Sequence, residues 1–344
     1  MDYSGASAFI YAKVSGMLSK SFIGNDAAPL FSAKSLAELW ELVFHSPVPQ
    51  IPEMLLANKI ENEAVKRFVA QYIQLLECYS SPNSFLTELL RRYDVENVKV
   101  LSAALAYGET ERPRIVSITP YSELKYDAWP SLKAVTAGST FDWYGALSDE
   151  QRDWQADWRL DLQEIRLLWR ALNHISDSSR TDLVAYYRKY YAVRNMLWAL
   201  RLKVYYTMER EEIVRHLFYV GDEPCASDPI CGYAFEILDK DVASREEWAK
   251  WSFAEFLNPV LEESKWVLDP VWVEQKFRFV ETKSLKRIFH ANPMTYASLV
   301  CFFMLKRHEL DCIRAATEAL RLNADSSEGM YAAGIVENFA RGGY

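Results

Sequence analysis

The five histidines, His45, His174, His216, His290 and His308, and the five cysteines, Cys78, Cys225, Cys231, Cys301 and Cys312, are the side chains of this 344-residue chain best suited to hold a metal or act as nucleophiles. Their spacing suits neither task. A helical zinc-hydrolase site needs two histidines four residues apart on one face, as in His-Glu-x-x-His, and no two histidines here are closer than 18 residues. A di-metal site in a helix bundle needs paired Glu-x-x-His motifs so that the ligands point inward together. Glu212 and His216 are four apart and have no second copy, and Cys225 and Cys231 are six apart, wider than paired zinc ligands. There is no Gly-x-x-x-x-Gly-Lys-Ser/Thr loop to cradle phosphates and no Gly-x-Ser-x-Gly elbow to expose a serine. Acids such as Asp239, Asp241, Glu246 and Glu247 are interleaved with bases, as on a solvated helix face. The residues predict no catalytic constellation, no cofactor and no metal.

A polar-apolar pattern does recur. It reads Tyr93-Asp94-Val95-Glu96-Asn97-Val98-Lys99, then Tyr191-Ala192-Val193-Arg194-Asn195-Met196-Leu197, then His308-Glu309-Leu310-Asp311-Cys312-Ile313-Arg314. Larger apolar residues fall mostly at steps 0, 3, 7 and 10: Val95, Val98 and Leu105; Val193, Met196 and Leu200; Leu310, Ile313 and Leu320. Ser102, Lys203 and Thr317 are the polar exceptions. Such spacing lays one stripe along one helix face. The copies are 98 and 117 residues apart, too far for a solenoid unit of roughly 20–50 residues, and suit a triplicated helical domain. An acid precedes each copy: Glu61, Asp161 and Glu274 lie 36, 34 and 38 residues before Asn97, Asn195 and Cys312. One acid near a helix start merely favours the macrodipole; three in register point to duplication. Asn97 and Asn195 are expected to be buried and hydrogen-bonded to neighbouring helices.

The elements that must position these motifs are helical. Half of the residues are hydrophobic and a quarter charged, as in a globular chain, and the 12 glycines are few for 344 residues. The net charge of −8 argues against a nucleic-acid partner. Scattered cysteines, with Lys13 interrupting the apolar start so that no signal peptide is expected, suit a reducing cytosol. The most apolar run, Ala297 to Leu305, has nine residues, against ~20 for a membrane span. Ser35 and Glu38 form a capping-box pair, and Pro47, Pro49 and Pro52 break the chain before the Glu61 helix. Ser80 to Ser84 separates that helix from the first motif helix. Ile115 to Ile118 looks strand-like, but one isolated strand makes no sheet. Helix signals resume at Asp127 and run through Trp143 to Trp158, Leu160 to Leu172, and Thr181 to Val220 as one long helix or a close pair. After the Gly221–Gly232 loop three further helices are expected before Asn323, and Gly342-Gly343 suggests a frayed end.

Eleven Trp, 20 Tyr and 17 Phe residues are expected mainly to pack between helices. Tyr186, Tyr187, Tyr190 and Tyr191 beside Arg188, Lys189 and Arg194 make the candidate partner surface, since aromatic and arginine side chains anchor interfaces.

The motif residues resemble the C-type component of archaeal and bacterial A/V-type ATPases, whose eukaryotic counterpart is the d-type component of the membrane sector. Asp94, Asn97, Val98 and Lys99 match that family's pattern most fully. Arg194-Asn195-Met196 and Leu200-Arg201 match its second copy, with Ala192 in place of an acid. Leu305 to Arg314, including Glu309, resembles its C-terminal signature, with Cys312 in place of Asn. Tyr11-Ala12-Lys13-Val14 and Ser35 to Leu39 are similar as well. The departures at Ala192 and Cys312 mark a divergent bacterial member. The resemblance implies an all-α fold of three similar helical domains in a pseudo-threefold funnel. It places these at 1–110, 111–207 and 208–344, with the N-terminal segment packing on the third. It implies a non-catalytic, cofactor-free part at the cytoplasmic face of the membrane. That part caps the proteolipid rotor ring and receives the foot of the central shaft. A helical scaffold or adaptor without motor function is the alternative, and an all-helical enzyme a more distant one.

Overall fold

In a computed structural model, residues 2–260 and 265–335 are described, and among them the regular structure is entirely helical. The expected Gly342-Gly343 end lies outside the described residues. The first helices are α1 (Tyr3–Leu18), α2 (Ala28–Ser32), α3 (Leu36–Phe44), α4 (Glu53–Leu76) and α5 (Ser84–Ala106). Ser35 Oγ accepts the Glu38 N–H at 3.2 Å, but the Glu38 carboxylate takes the N–H of Lys34 at 2.8 Å, so the reciprocal half of the capping box falls one residue upstream. Asn83 caps α5 by accepting the Phe85 N–H.

Two single turns, α6 (Leu132–Thr136) and α7 (Asp142–Gly145), precede α8 (Trp154–Leu172). The helix signals from Trp143 to Trp158 therefore do not form one helix. Ser148 and Asp153 each cap a fresh start inside that stretch, and every cap ends the chain's commitment to the preceding turn. The long helix α9 (Arg180–Tyr205) stops near Thr207, whose φ of 50° leaves the right-handed helix region, and α10 (Arg210–Arg215) follows separately. Single turns α11 (Gly232–Phe235) and α12 (Arg245–Trp248) lead to α13 (Pro270–Ala291), α14 (Tyr296–Leu322) and α15 (Ser326–Ala332). Instead of three helices after Gly232, the chain makes two long ones preceded by irregular backbone. Trp248, Trp251, Phe253, Phe256 and Trp266 hold that backbone by packing with Phe277 of α13. Asp269 caps α13, and Pro270 at its first position lacks only an N–H that the helix would leave unbonded.

Three pairings organise the long helices: α5 packs on α8, α9 on α13, and α14 returns to α4. The N-terminal parts of the three motif helices share one core, through Leu86 to Tyr93, Leu183 to Tyr191 and Tyr296 to Leu305. The nine-residue apolar run sits there, with Leu299, Val300, Cys301 and Phe302 wholly buried. Beyond that shared core the motif helices part company. From Val95 on, α5 packs with residues 124–160; from Val193 on, α9 packs with residues 213–277; from Cys312 on, α14 packs with residues 27–64. Among the described residues no helix is long and apolar enough to cross a membrane.

Candidate functional site

At Asn97 and Asn195 the motif helices leave the shared core, and both side chains are almost fully buried. Asn97 Oδ1 accepts the Val116 N–H at 2.9 Å, while its Nδ2 donates to the Val116 carbonyl at 2.8 Å and to Tyr126 Oη at 2.6 Å. Asn195 repeats the arrangement. Its Oδ1 accepts the Phe218 N–H at 2.8 Å, and its Nδ2 donates to the carbonyls of Phe218 at 2.9 Å and Ile230 at 2.6 Å. Each amide pairs with both polar backbone groups of one residue, as a neighbouring strand would. The partners are loops rather than the helices expected from sequence, because only loop backbone has polar groups left to satisfy. Val116 is the centre of the strand-like Ile115–Ile118 stretch, and Asn97 replaces the missing ladder.

The residue three before each motif position finishes the loop attachment differently each time. Asp94, fully buried, accepts from Ser122 Oγ at 2.7 Å, Tyr126 Oη at 2.9 Å and the Glu123 N–H at 3.2 Å. Burial pushes its carboxyl above the usual range, against the pull of those bonds and of Arg91. Ala192 has no acid to offer, and the loop caps itself. Asp228 accepts from the N–H groups of Val220 and Gly221 with one oxygen and of Ile230 and Cys231 with the other. Glu309 accepts the Phe22 N–H at 2.8 Å and pairs with Lys306, while Cys312 is buried among the apolar residues of α2, α3 and α4.

The basic members of the motifs tie different segments together. Lys99 Nζ lies 2.6 Å from Asp161 Oδ1, linking α5 to α8; Arg201 pairs with Glu274, linking α9 to α13; Arg314 Nε lies 3.2 Å from Glu61 Oε2, linking α14 to α4. The three acids spaced in register along the sequence are thus each the ion-pair partner of a motif helix.

Between α5, α9, α13 and α14 lies a cavity of about 570 Å³. Seven lysines and arginines line it against four carboxylates, in a chain whose net charge is −8. At its wall Arg194 Nη1 donates to Tyr190 Oη at 2.5 Å, and Arg307 Nη1 lies 3.4 Å from the same oxygen. Burial pushes this phenol up, but the charges of Arg194 and Arg307 outweigh burial and the net direction is downward. Glu281 accepts from Tyr186 Oη at 2.7 Å and lies 3.4 Å from His308 Nε2. Burial would raise its carboxyl, yet His308, Tyr186 and Arg307 together hold it below the usual range.

The tyrosine-arginine cluster expected as a partner surface is divided. Tyr186, Tyr187 and Tyr191 are buried, and Tyr187 packs edge-on against Phe85. Their rings face the shared core because four aromatic residues in six positions wrap more than half of the helix circumference. Arg188 lines a different depression, beside Ala192 and Asp228. Lys189, Tyr190 and Arg194 line the cavity, and so does Tyr186, whose hydroxyl reaches Glu281 there. Sequence reasoning missed Arg92, Glu281 and Arg307 on the cavity wall, and Asp228 in the loop. A signal was available for two of them: Arg92, Tyr190 and Arg307 all stand five residues before their motif positions. Among the described residues no group of three or more His, Cys, Asp or Glu could hold a metal ion.

Comparison with known proteins agrees in extent with this architecture. An uncharacterized protein of Treponema pallidum (strain Nichols) is 28% identical over 322 residues, which is 92% of each chain. The family described as ATP synthase (C/AC39) subunit matches residues 10–328, from α1 into α15 and through all three motif helices. With nearly the whole chain matched, this protein belongs to the C/AC39 family of ATP synthase subunits.

Proposed function

We propose that this chain is the non-catalytic rotor socket of a V/A-type rotary ATPase, coupling the central shaft to the proteolipid ring for ATP-linked ion transport. The observation that carries the reading is the cavity walled by all three motif helices, together with the pairing of each motif helix to an acid on another segment. A socket does no chemistry. It must hold two partners without slipping, and close-packed helices suit that task because they compress little. In this reading the three motif segments are three similar domains, approximately 1–110, 111–207 and 208–344, set around the cavity as a pseudo-threefold funnel. The N-terminal segment completes the third, which is consistent with the Phe22–Glu309 bond. The protein sits peripherally at the cytoplasmic face of the membrane and meets it only through the ring.

The test is ATP-driven ion uptake into vesicles carrying the complex with and without this protein, measured beside hydrolysis. Hydrolysis by the soluble head is expected to persist and transport to stop. Undiminished transport in its absence would sink the socket reading and favour a scaffold without motor function.

A further inference from the structure

Every motif helix sends arginine into the cavity: Arg92 from α5, Arg194 and Arg201 from α9, and Arg307 from α14; of these, Arg201 is already paired with Glu274. Arg194 and Arg307 converge on one oxygen, Tyr190 Oη, at 2.5 and 3.4 Å, and Arg92 lines the same cavity. The carboxylates nearby are engaged elsewhere. Glu96 pairs with Arg92, Asp311 with Arg278 and Arg314, and Glu281 with Tyr186 and His308. Glu164 of α8 lies in the field of Arg92 and Arg307 and makes no ion pair among the described residues. Among the described residues, Arg194 and Arg307 therefore meet at one phenol oxygen with no carboxylate within ion-pair distance. Two guanidinium forks around a weak acceptor are an arrangement a carboxylate would improve, because charge-assisted fork bonds are roughly twice as strong as neutral ones.

We infer that Arg92, Arg194 and Arg307 form an anion seat for a carboxylate-bearing protein segment, the acidic tip of the partner that enters the cavity. This rests on the socket reading and adds the chemistry of what the socket grips. Cations from three helices lining one cavity would orient a protruding acidic tip and speed its docking, since complementary charge raises association rates. Tyr190 holds the guanidinium groups in place until the carboxylate arrives.

The experiment measures binding of the purified shaft proteins to the purified full chain, at low and at high salt, for the wild type, R194Q, R307Q and Y190F. Thermal melts establish that each variant is folded, and R194Q, whose side chain is exposed, keeps the test open if R307Q misfolds. Losing a charge from a desolvated pair should weaken binding on the order of tenfold or more, and each arginine variant should flatten the salt dependence. Y190F, which removes the hydroxyl that positions both guanidinium groups but no charge, should weaken binding less than either arginine variant and leave the salt dependence unchanged. If the shaft binds the wild type and the folded arginine variants equally well, the anion seat is wrong and the socket stands. If the shaft does not bind the wild type at all, both fall.

Discussion

A leucine at position 97 or 195 would fill the volume of the asparagine and leave its partners unpaired. Asn97→Leu removes the bonds to both polar groups of Val116, which is half-buried and can recover part of the loss from water. The expected cost is about 1–3 kcal/mol. Asn195→Leu should cost more, because the bond to the Ile230 carbonyl is buried. Urea unfolding of both variants checks the ranking, and equal or negligible losses would deny the asparagines their clamping role. Two carboxyls should show opposite pH signs. The folded-state pKa of Glu281 lies below its ordinary 4.5, so its contribution is present above that pH and lost as pH falls through the lowered value. That of Asp94 lies above 3.8, so stability declines as pH rises through its raised value. Unfolding measured across the acid range should show the gap between wild type and E281Q widening with pH. The gap between wild type and D94N should shrink over the same range. The burial of the asparagines was expected from the recurrence of the motif, although two residues past Val95 and Val193 they stand off the apolar stripe. Their partners could not, because Val116, Phe218 and Ile230 act through backbone, and backbone groups have no sequence signature.

The long helices were legible because periodicity and caps agree along them. Single turns such as α6, α7, α11 and α12 were not: tertiary aromatic packing holds them, as Trp248 and Trp251 do against Phe253. The cavity was the hardest element-level feature to foresee. Tyr190 and Arg194 are neighbours on α9, but Glu281 and Arg307 arrive from α13 and α14, 91 and 117 residues beyond Tyr190. The spacing of the acids was legible, and their use as links between helices was not. These links should differ in strength. Glu274 meets both Arg201 and Arg278 and is mostly buried, whereas Arg314 opposite Glu61 is more than half exposed. Glu61→Gln should therefore cost under ~1 kcal/mol, as exposed pairs do, and Glu274→Gln more. Denaturant midpoints of the two variants, followed by a double-mutant cycle on Arg201 and Glu274, settle the order. A larger loss at Glu61 would reverse it.

At the scale of the molecule, the first and last parts of the chain depend on each other. Leu30, Phe31, Leu39 and Trp40 share a core with Cys312, Ile313 and Ala316, and Glu309 holds the Phe22 N–H. Deleting residues 2–35 should therefore loosen the far end of the sequence. Amides in the last turns of α14 should lose hydrogen-exchange protection, while α8, which packs on α5, keeps it. Uniform loss, or none in α14, would contradict this. The return of α14 to α4 also sets a clock on biosynthesis. Arg314 lies 253 residues after Glu61. At roughly 5–20 residues per second a ribosome needs about 10–50 s to cover that span. Until then the cavity lacks the wall that carries Arg307, and α4 waits with an uncovered face. In the proposed socket, a nascent chain therefore has no complete cavity to offer a partner, and one cut short before α14 lacks the wall that carries Arg307.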